Sequence, residues 1–116
     1  MRFLTFLTVA GLAGAETLEP DRFEKETVVA GGRDITQFDV AADGRIVLLE
    51  LKGTVKVHDP TTHLTIPAGE LKTLAQADAG ALGLALARDF ATTGHVFIYY
   101  SPDVTPRVMR LARVTL

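Results

Sequence analysis

Residues 42–60 read ADGRIVLLELKGTVKVHDP, and this stretch decides the fold. Asp43-Gly44 ahead of an apolar run is a strong hairpin signal, because glycine accepts the positive φ that a tight turn needs. Arg45 to Glu50 is then the return strand. Lys52-Gly53 makes a second tight turn into Thr54 to His58, which Asp59-Pro60 closes. With Gln37 to Ala41 ahead of the first turn, three strands succeed one another in about 25 residues as an antiparallel meander. Ile46, Val47, Leu48 and Leu49 are apolar at consecutive positions and therefore on both faces, whereas Val55 and Val57 alternate with Thr54, Lys56 and His58. The middle strand is predicted to be covered on both sides and the next one half exposed. A lone hairpin cannot hide both faces of its strand, so a layer must pack on each side of the sheet.

Towards the N-terminus, Phe23 to Ala30 is a strand candidate, with Thr27, Val28 and Val29 supplying β-branched residues before Gly31-Gly32 ends the run. Glu16 to Arg22, with Pro20, is a loose lead-in. Met1-Arg2, the apolar stretch Phe3 to Leu12 and Ala13-Gly14-Ala15 have the pattern of an export leader with an A-x-A cleavage site. The stretch is well short of the ~20 residues that a membrane-spanning helix needs. The expected division is thus 1–15 signal peptide, 16–22 lead-in and 23–116 β-domain, with export to the periplasm or the exterior.

Towards the C-terminus, a weaker strand, Leu64 to Ile66, precedes Pro67. Glu70 to Phe90 is ambiguous. Glu70 to Ala79 has the composition of a helix, but Gly80 and Gly83 interrupt the second half and Leu82, Leu84 and Leu86 recur with period two. Loop over 76–80 and strand over 82–87 is the favoured assignment. A turn region through Arg88-Asp89-Phe90 and Thr93-Gly94 leads into the strand Val96 to Tyr100, and Val108 to Leu116 is the last run. Strand, turn, buried strand, turn, half-exposed strand recurs at an offset of roughly 45 residues, a period that suits propeller blades and leaves a small sandwich or barrel as the alternative.

Composition narrows the function classes. The 116 residues carry a formal charge of -2, which excludes the basic footprint of a nucleic-acid binder. There is no cysteine, so disulfides, thiolate nucleophiles and cysteine-ligated metal centres are excluded. No Ser-His-Asp set, phosphate loop or dinucleotide fingerprint occurs.

Several pieces together resemble the N-terminal part of the glucose/sorbosone dehydrogenase family, the soluble PQQ-dependent sugar dehydrogenases and their propeller relatives. They are Ala42-Asp43-Gly44-Arg45, Glu50-Leu51-Lys52-Gly53, Val57-His58-Asp59-Pro60, the run from Gly80 to Leu86 with Asp89-Phe90, Tyr99-Tyr100-Ser101-Pro102, and Arg110 to Leu116. The G-x-L-G-x-A-x-x-x-D-F run succeeded by Y-Y-S-P is the most specific. The resemblance implies an all-β fold of antiparallel meanders, the first one to two blades of a six-bladed propeller, with Phe23 to Ala30 as the outermost strand of the last blade. It implies PQQ and calcium as cofactors of the full-length family and a small-molecule sugar or alcohol as substrate. The catalytic histidine, the basic PQQ contacts and the calcium ligands would all lie beyond Leu116, so this chain is expected to bind no cofactor and to be inactive alone. A non-catalytic propeller that binds carbohydrate or protein is the alternative.

Ala42 and Arg88 stand where many relatives have Pro, Leu51 where they have Arg, and Asp78 where they have Glu or Gln. Asp78, two positions before Gly80, is the substrate-binding candidate that the resemblance implies; an aspartate there accepts sugar hydroxyl bonds but does not donate as Gln does. A solvated loop aspartate is the plainer alternative. Asp39 sits inside a strand, where Asp is disfavoured, and is a channel-side candidate. Asp43 and Asp59 occupy turn positions that favour Asp. His58, His63 and His95 have no metal-ligand spacing and are expected at the surface. Tyr99 and Tyr100 point to opposite faces, so at most one of them can stack on a sugar, and core packing with a bonded hydroxyl is expected. Arg107, Arg110 and Arg113 spread over both faces of a strand.

Overall fold

The Asp43-Gly44 turn closes as its sequence predicts. In a computed structural model that describes residues 22–76 and 79–116, Gly44 has φ 92° and donates its N–H to Ala41 O at 2.9 Å, while Asp43 Oδ1 accepts from Arg45 N at 3.0 Å. The turn joins β1 (Ile35–Val40) to β2 (Ile46–Glu50). The Lys52-Gly53 turn, with Gly53 at φ 103°, joins β2 to β3 (Thr54–Asp59). A turn with His63 at φ 61° leads to β4 (Leu64–Glu70). These four strands form one antiparallel sheet in the order β1-β2-β3-β4. A second antiparallel sheet has the order β5-β6-β7 and is built from β5 (Ala81–Leu86), β6 (His95–Tyr100) and β7 (Arg110–Thr115). One turn of helix, α1 (Phe90–Thr93), lies between β5 and β6 and is ended by Gly94 at φ 68°.

The two sheets are stacked face to face. Val47, Leu49 and Val55 of the first sheet pack against Ala81, Leu84, Val96 and Ile98 of the second, with Val57, Leu86, Tyr100 and Val114 at the margins. Registers explain which residues meet. Asp39, Val47 and Val57 are directly opposite one another, as are Gln37, Leu49 and Val55, so these share the inner face of the first sheet. Leu84, Ile98 and Ala112, and likewise Leu86, Val96 and Val114, share the inner face of the second. Val47, Leu48 and Leu49 are all buried, as the unbroken apolar run predicts.

Three expectations need correcting. Phe23 to Ala30 forms no strand; a β-branched run becomes a strand only with a ladder to join, and no strand of either sheet pairs with it. Instead Val29 to Gly32 and Ile35 line a shallow cleft with Leu48 on the outer face of the first sheet. The weak strand ahead of Pro67 runs through it to Glu70, because β4 is an edge strand and proline is tolerated there. Glu70 to Gln76 is not helical: Glu70 ends β4 and Thr73 bridges to Pro102. The expected leader, 1–15, the lead-in up to residue 21 and Asp78 lie outside the described residues.

Candidate functional site

Strand direction gathers the longer connections at one end of the stack. The β2–β3 turn, the 71–80 connection between the sheets and the 101–109 connection all meet there. Backbone bonds knit them together: Leu71 N donates to Gly53 O at 2.9 Å, Leu74 N to Ser101 O at 2.9 Å, Ser101 N to Gly80 O at 2.9 Å and Ala81 N to Leu51 O at 2.8 Å. Ser101, fully buried, also donates its hydroxyl to Val108 O at 3.0 Å. Ala79 N donates to Gln76 O at 2.6 Å. Gly80 is required where it stands, since at φ 129° an added Cβ would lie 2.6 Å from Leu51 O.

Beside this end is an open cleft of about 360 Å3 lined by Gly32, Arg33, Asp34, Glu50, Lys52 and Thr54. Its central charge is Glu50, only 6% exposed. Burial pushes this carboxyl up, but the Lys56 ammonium 2.7 Å away and the Arg33 backbone N–H at 2.9 Å outweigh burial and hold it below its ordinary value. Glu50 does not stand out as a site residue in the sequence. The register gives the missing signal: Lys56 is directly opposite Leu48, and Glu50 is two positions along the same face, a diagonal pair across adjacent strands.

Other candidates are placed as follows. Asp39 points between the sheets, where Oδ2 accepts from Leu86 N at 2.9 Å and Oδ1 from Val40 N at 2.9 Å; it joins strands and is not a free channel-side carboxylate. His58 corrects the expectation of a surface histidine. It is 3% exposed, its Nδ1 is 2.8 Å from Thr65 Oγ1, and its Nε2 is buried without a hydrogen-bond partner. Thr65 of β4 stands directly opposite His58, a neighbour that the β3 sequence alone does not reveal. His63 is exposed and His95 half-buried. Tyr99 is 44% exposed on the outer face of the second sheet, contrary to the expected core packing, while Tyr100 packs against the core. Arg45 Nε pairs with Asp43 Oδ2 at 2.8 Å on the surface, and the Asp43 carboxyl is lowered chiefly by the Arg45 backbone N–H and then by its side chain.

PQQ and calcium each require a donor set that these residues do not assemble. Among the described residues no three His, Asp or Glu side chains converge as metal ligands. In the cleft, Arg33 and Lys52 share the space with Asp34 and Glu50, a mixed set that does not fit a tricarboxylate quinone. Among the described residues no helix is long and apolar enough to cross a membrane.

Neither a protein-family model nor a curated protein matches the chain. Solved structures do. The PQQ-bound form of aldose sugar dehydrogenase from Streptomyces coelicolor is similar with a TM-score of 0.66 and 22% identity over 76% of this chain and 26% of that one. A proposed oxidoreductase (glucose dehydrogenase) from Thermus thermophilus is similar with a TM-score of 0.71 and 22% identity over 78% of this chain and 27% of that one. This chain thus spans about a quarter of the length of either neighbour. The likeness is one of fold: antiparallel meanders packed as the sheets of a β-propeller. These neighbours are the kind of protein that the sequence motifs resemble.

Proposed function

We propose that this chain is the N-terminal scaffold of an exported PQQ-dependent sugar or alcohol dehydrogenase-like protein that oxidises a sugar hydroxyl in its full-length form. The observation that carries this is the fold match to a PQQ-bound sugar dehydrogenase at about a quarter of that protein's length. The export pattern over residues 1–15 supports a secreted or periplasmic location, and the Y-Y-S-P run supports the same family. PQQ would supply the hydride or electron acceptor when bound. The described residues do not form its site, so no chemical step is assigned to them. Their part is to hold the 71–80 connection, with Asp78 offered to sugar hydroxyls as an acceptor.

Purified chain supplied with PQQ, calcium, glucose and a redox dye is expected to leave the dye oxidised; dye reduction by this chain alone would overturn the assignment of its residues to scaffold. The reading frame extended past Leu116 is expected to reduce the dye with PQQ and a sugar. In that longer protein Asp78→Ala should raise KM for sugar more than it lowers kcat. A longer protein that binds glycans but lacks redox activity would favour the non-catalytic binding module, whose supporting observation is the exposed Tyr99 beside Phe97.

A further inference from the structure

Three segments of the chain meet on Ser101. The residue is fully buried at the point where β6 gives way to the 101–109 connection, and every polar group it carries is used. Its N–H donates to Gly80 O at 2.9 Å, its carbonyl accepts from Leu74 N at 2.9 Å, and its hydroxyl donates to Val108 O at 3.0 Å. Alanine would fill the same space, so packing alone does not call for a serine; a buried hydroxyl is tolerated because it has this partner.

The three bonds differ in what they require. The two backbone bonds reach Leu74 and Gly80, on either side of residues 75–79, and any residue but proline could make them. The hydroxyl bond needs the serine, and it ties the start of the 101–109 connection to its far end. That closed loop leans on its neighbour: Pro102, also buried, bridges to Thr73, and Asp103 N donates to Lys72 O at 3.3 Å. The 71–80 connection is thus held by the 101–109 connection at residues 72, 73, 74 and 80.

We infer that Ser101 is a positioning residue for sugar binding: its hydroxyl keeps the 101–109 connection closed against residues 72–74, and so keeps the 71–80 connection ready to receive a sugar. The inference rests on the dehydrogenase reading given above. Ser101 is fully buried and does not touch the sugar. Its effect falls on binding and not on the reacting atoms, because the loops it joins have no part in a chemical step.

In this chain, Ser101→Ala is expected to speed amide hydrogen exchange at Leu74 by about 3- to 10-fold, the factor for one lost hydrogen bond, and to leave the amides of β2 unchanged. In the protein extended past Leu116, the same variant should raise KM for sugar by about 3- to 10-fold with kcat held within about twofold. Asp43→Ala, which loosens the β1–β2 turn at the opposite end of the stack, should leave KM where it is. An unchanged Leu74 exchange rate, a fall in kcat as large as the rise in KM, or an equal KM rise from Asp43→Ala would each overturn the inference. An active extended protein whose KM responds to Asp78→Ala but not to Ser101→Ala would overturn this inference alone. An extended protein without sugar turnover would overturn the dehydrogenase reading and this inference with it.

Discussion

Asp39 Oδ2 accepts the Leu86 backbone N–H at 2.9 Å, so a carboxylate in β1 satisfies an amide in β5 of the other sheet. Beside it Thr36 Oγ1 lies 2.7 Å from Ala81 O, to which it donates. The inner strands of the two sheets are thus joined by side chains reaching across, where no ladder connects them. Asp39→Ala should cost about 1.5–3 kcal/mol by urea denaturation, the range for a hydrogen bond to a charged group. Asp39→Asn keeps one acceptor and should cost less.

The Glu50–Lys56 pair gives stability a pH dependence. The Glu50 carboxyl is held below 4.5 in the folded chain, so its contribution is fully present above that value and is lost as pH falls through the folded value. Urea midpoints measured between about pH 3 and 6 should drop towards the acid end, and Glu50→Gln should flatten that drop. An unchanged slope in the variant would show that Glu50 is not the group responsible.

Gly80 and Gly44 form a controlled comparison. Both have positive φ, 129° and 92°, but an added Cβ at Gly80 meets the Leu51 carbonyl whereas at Gly44 it meets open space. Gly44→Ala should show backbone strain alone, about 1 kcal/mol or somewhat more. Gly80→Ala should cost at least about 2 kcal/mol beyond that, because Leu51 O also receives Ala81 N and cannot move freely.

His58→Leu should be close to neutral, within about 1 kcal/mol, in thermal or urea unfolding. The change removes the Thr65 bond but also the buried Nε2 that has no partner, and Thr65 is exposed enough to bond water instead. A loss above about 2 kcal/mol would show that the ring is held by more than Thr65.

Much of the sheet architecture is legible in the sequence because it rests on short-range chemistry. Asp43-Gly44 and Lys52-Gly53 specify turns locally, and the apolar run from Ile46 to Leu49 requires cover on both faces whatever supplies it. The features that escape the sequence depend on distant partners. Phe23 to Ala30 has the composition of a strand, but composition does not provide a ladder. The alternation of β3 places His58 at the surface, and its burial comes with its bond to Thr65 of β4, a neighbour the alternation does not reveal. Asp39 is anomalous inside a strand on sequence alone, yet its partner is 47 residues away and the anomaly does not tell a ligand from a backbone amide. Glu50 is recognisable as a buried charge only once the register sets it diagonal to Lys56.

The bonds among Leu51, Leu71, Leu74, Gly80 and Ser101 also bear on recognition. Connections of this length, left loose, would surrender conformational entropy each time a ligand arrived. At the bonded positions Leu51, Leu71, Leu74, Gly80 and Ser101 that entropy is given up once, when the chain folds, so a ligand that touches the backbone there meets groups already set.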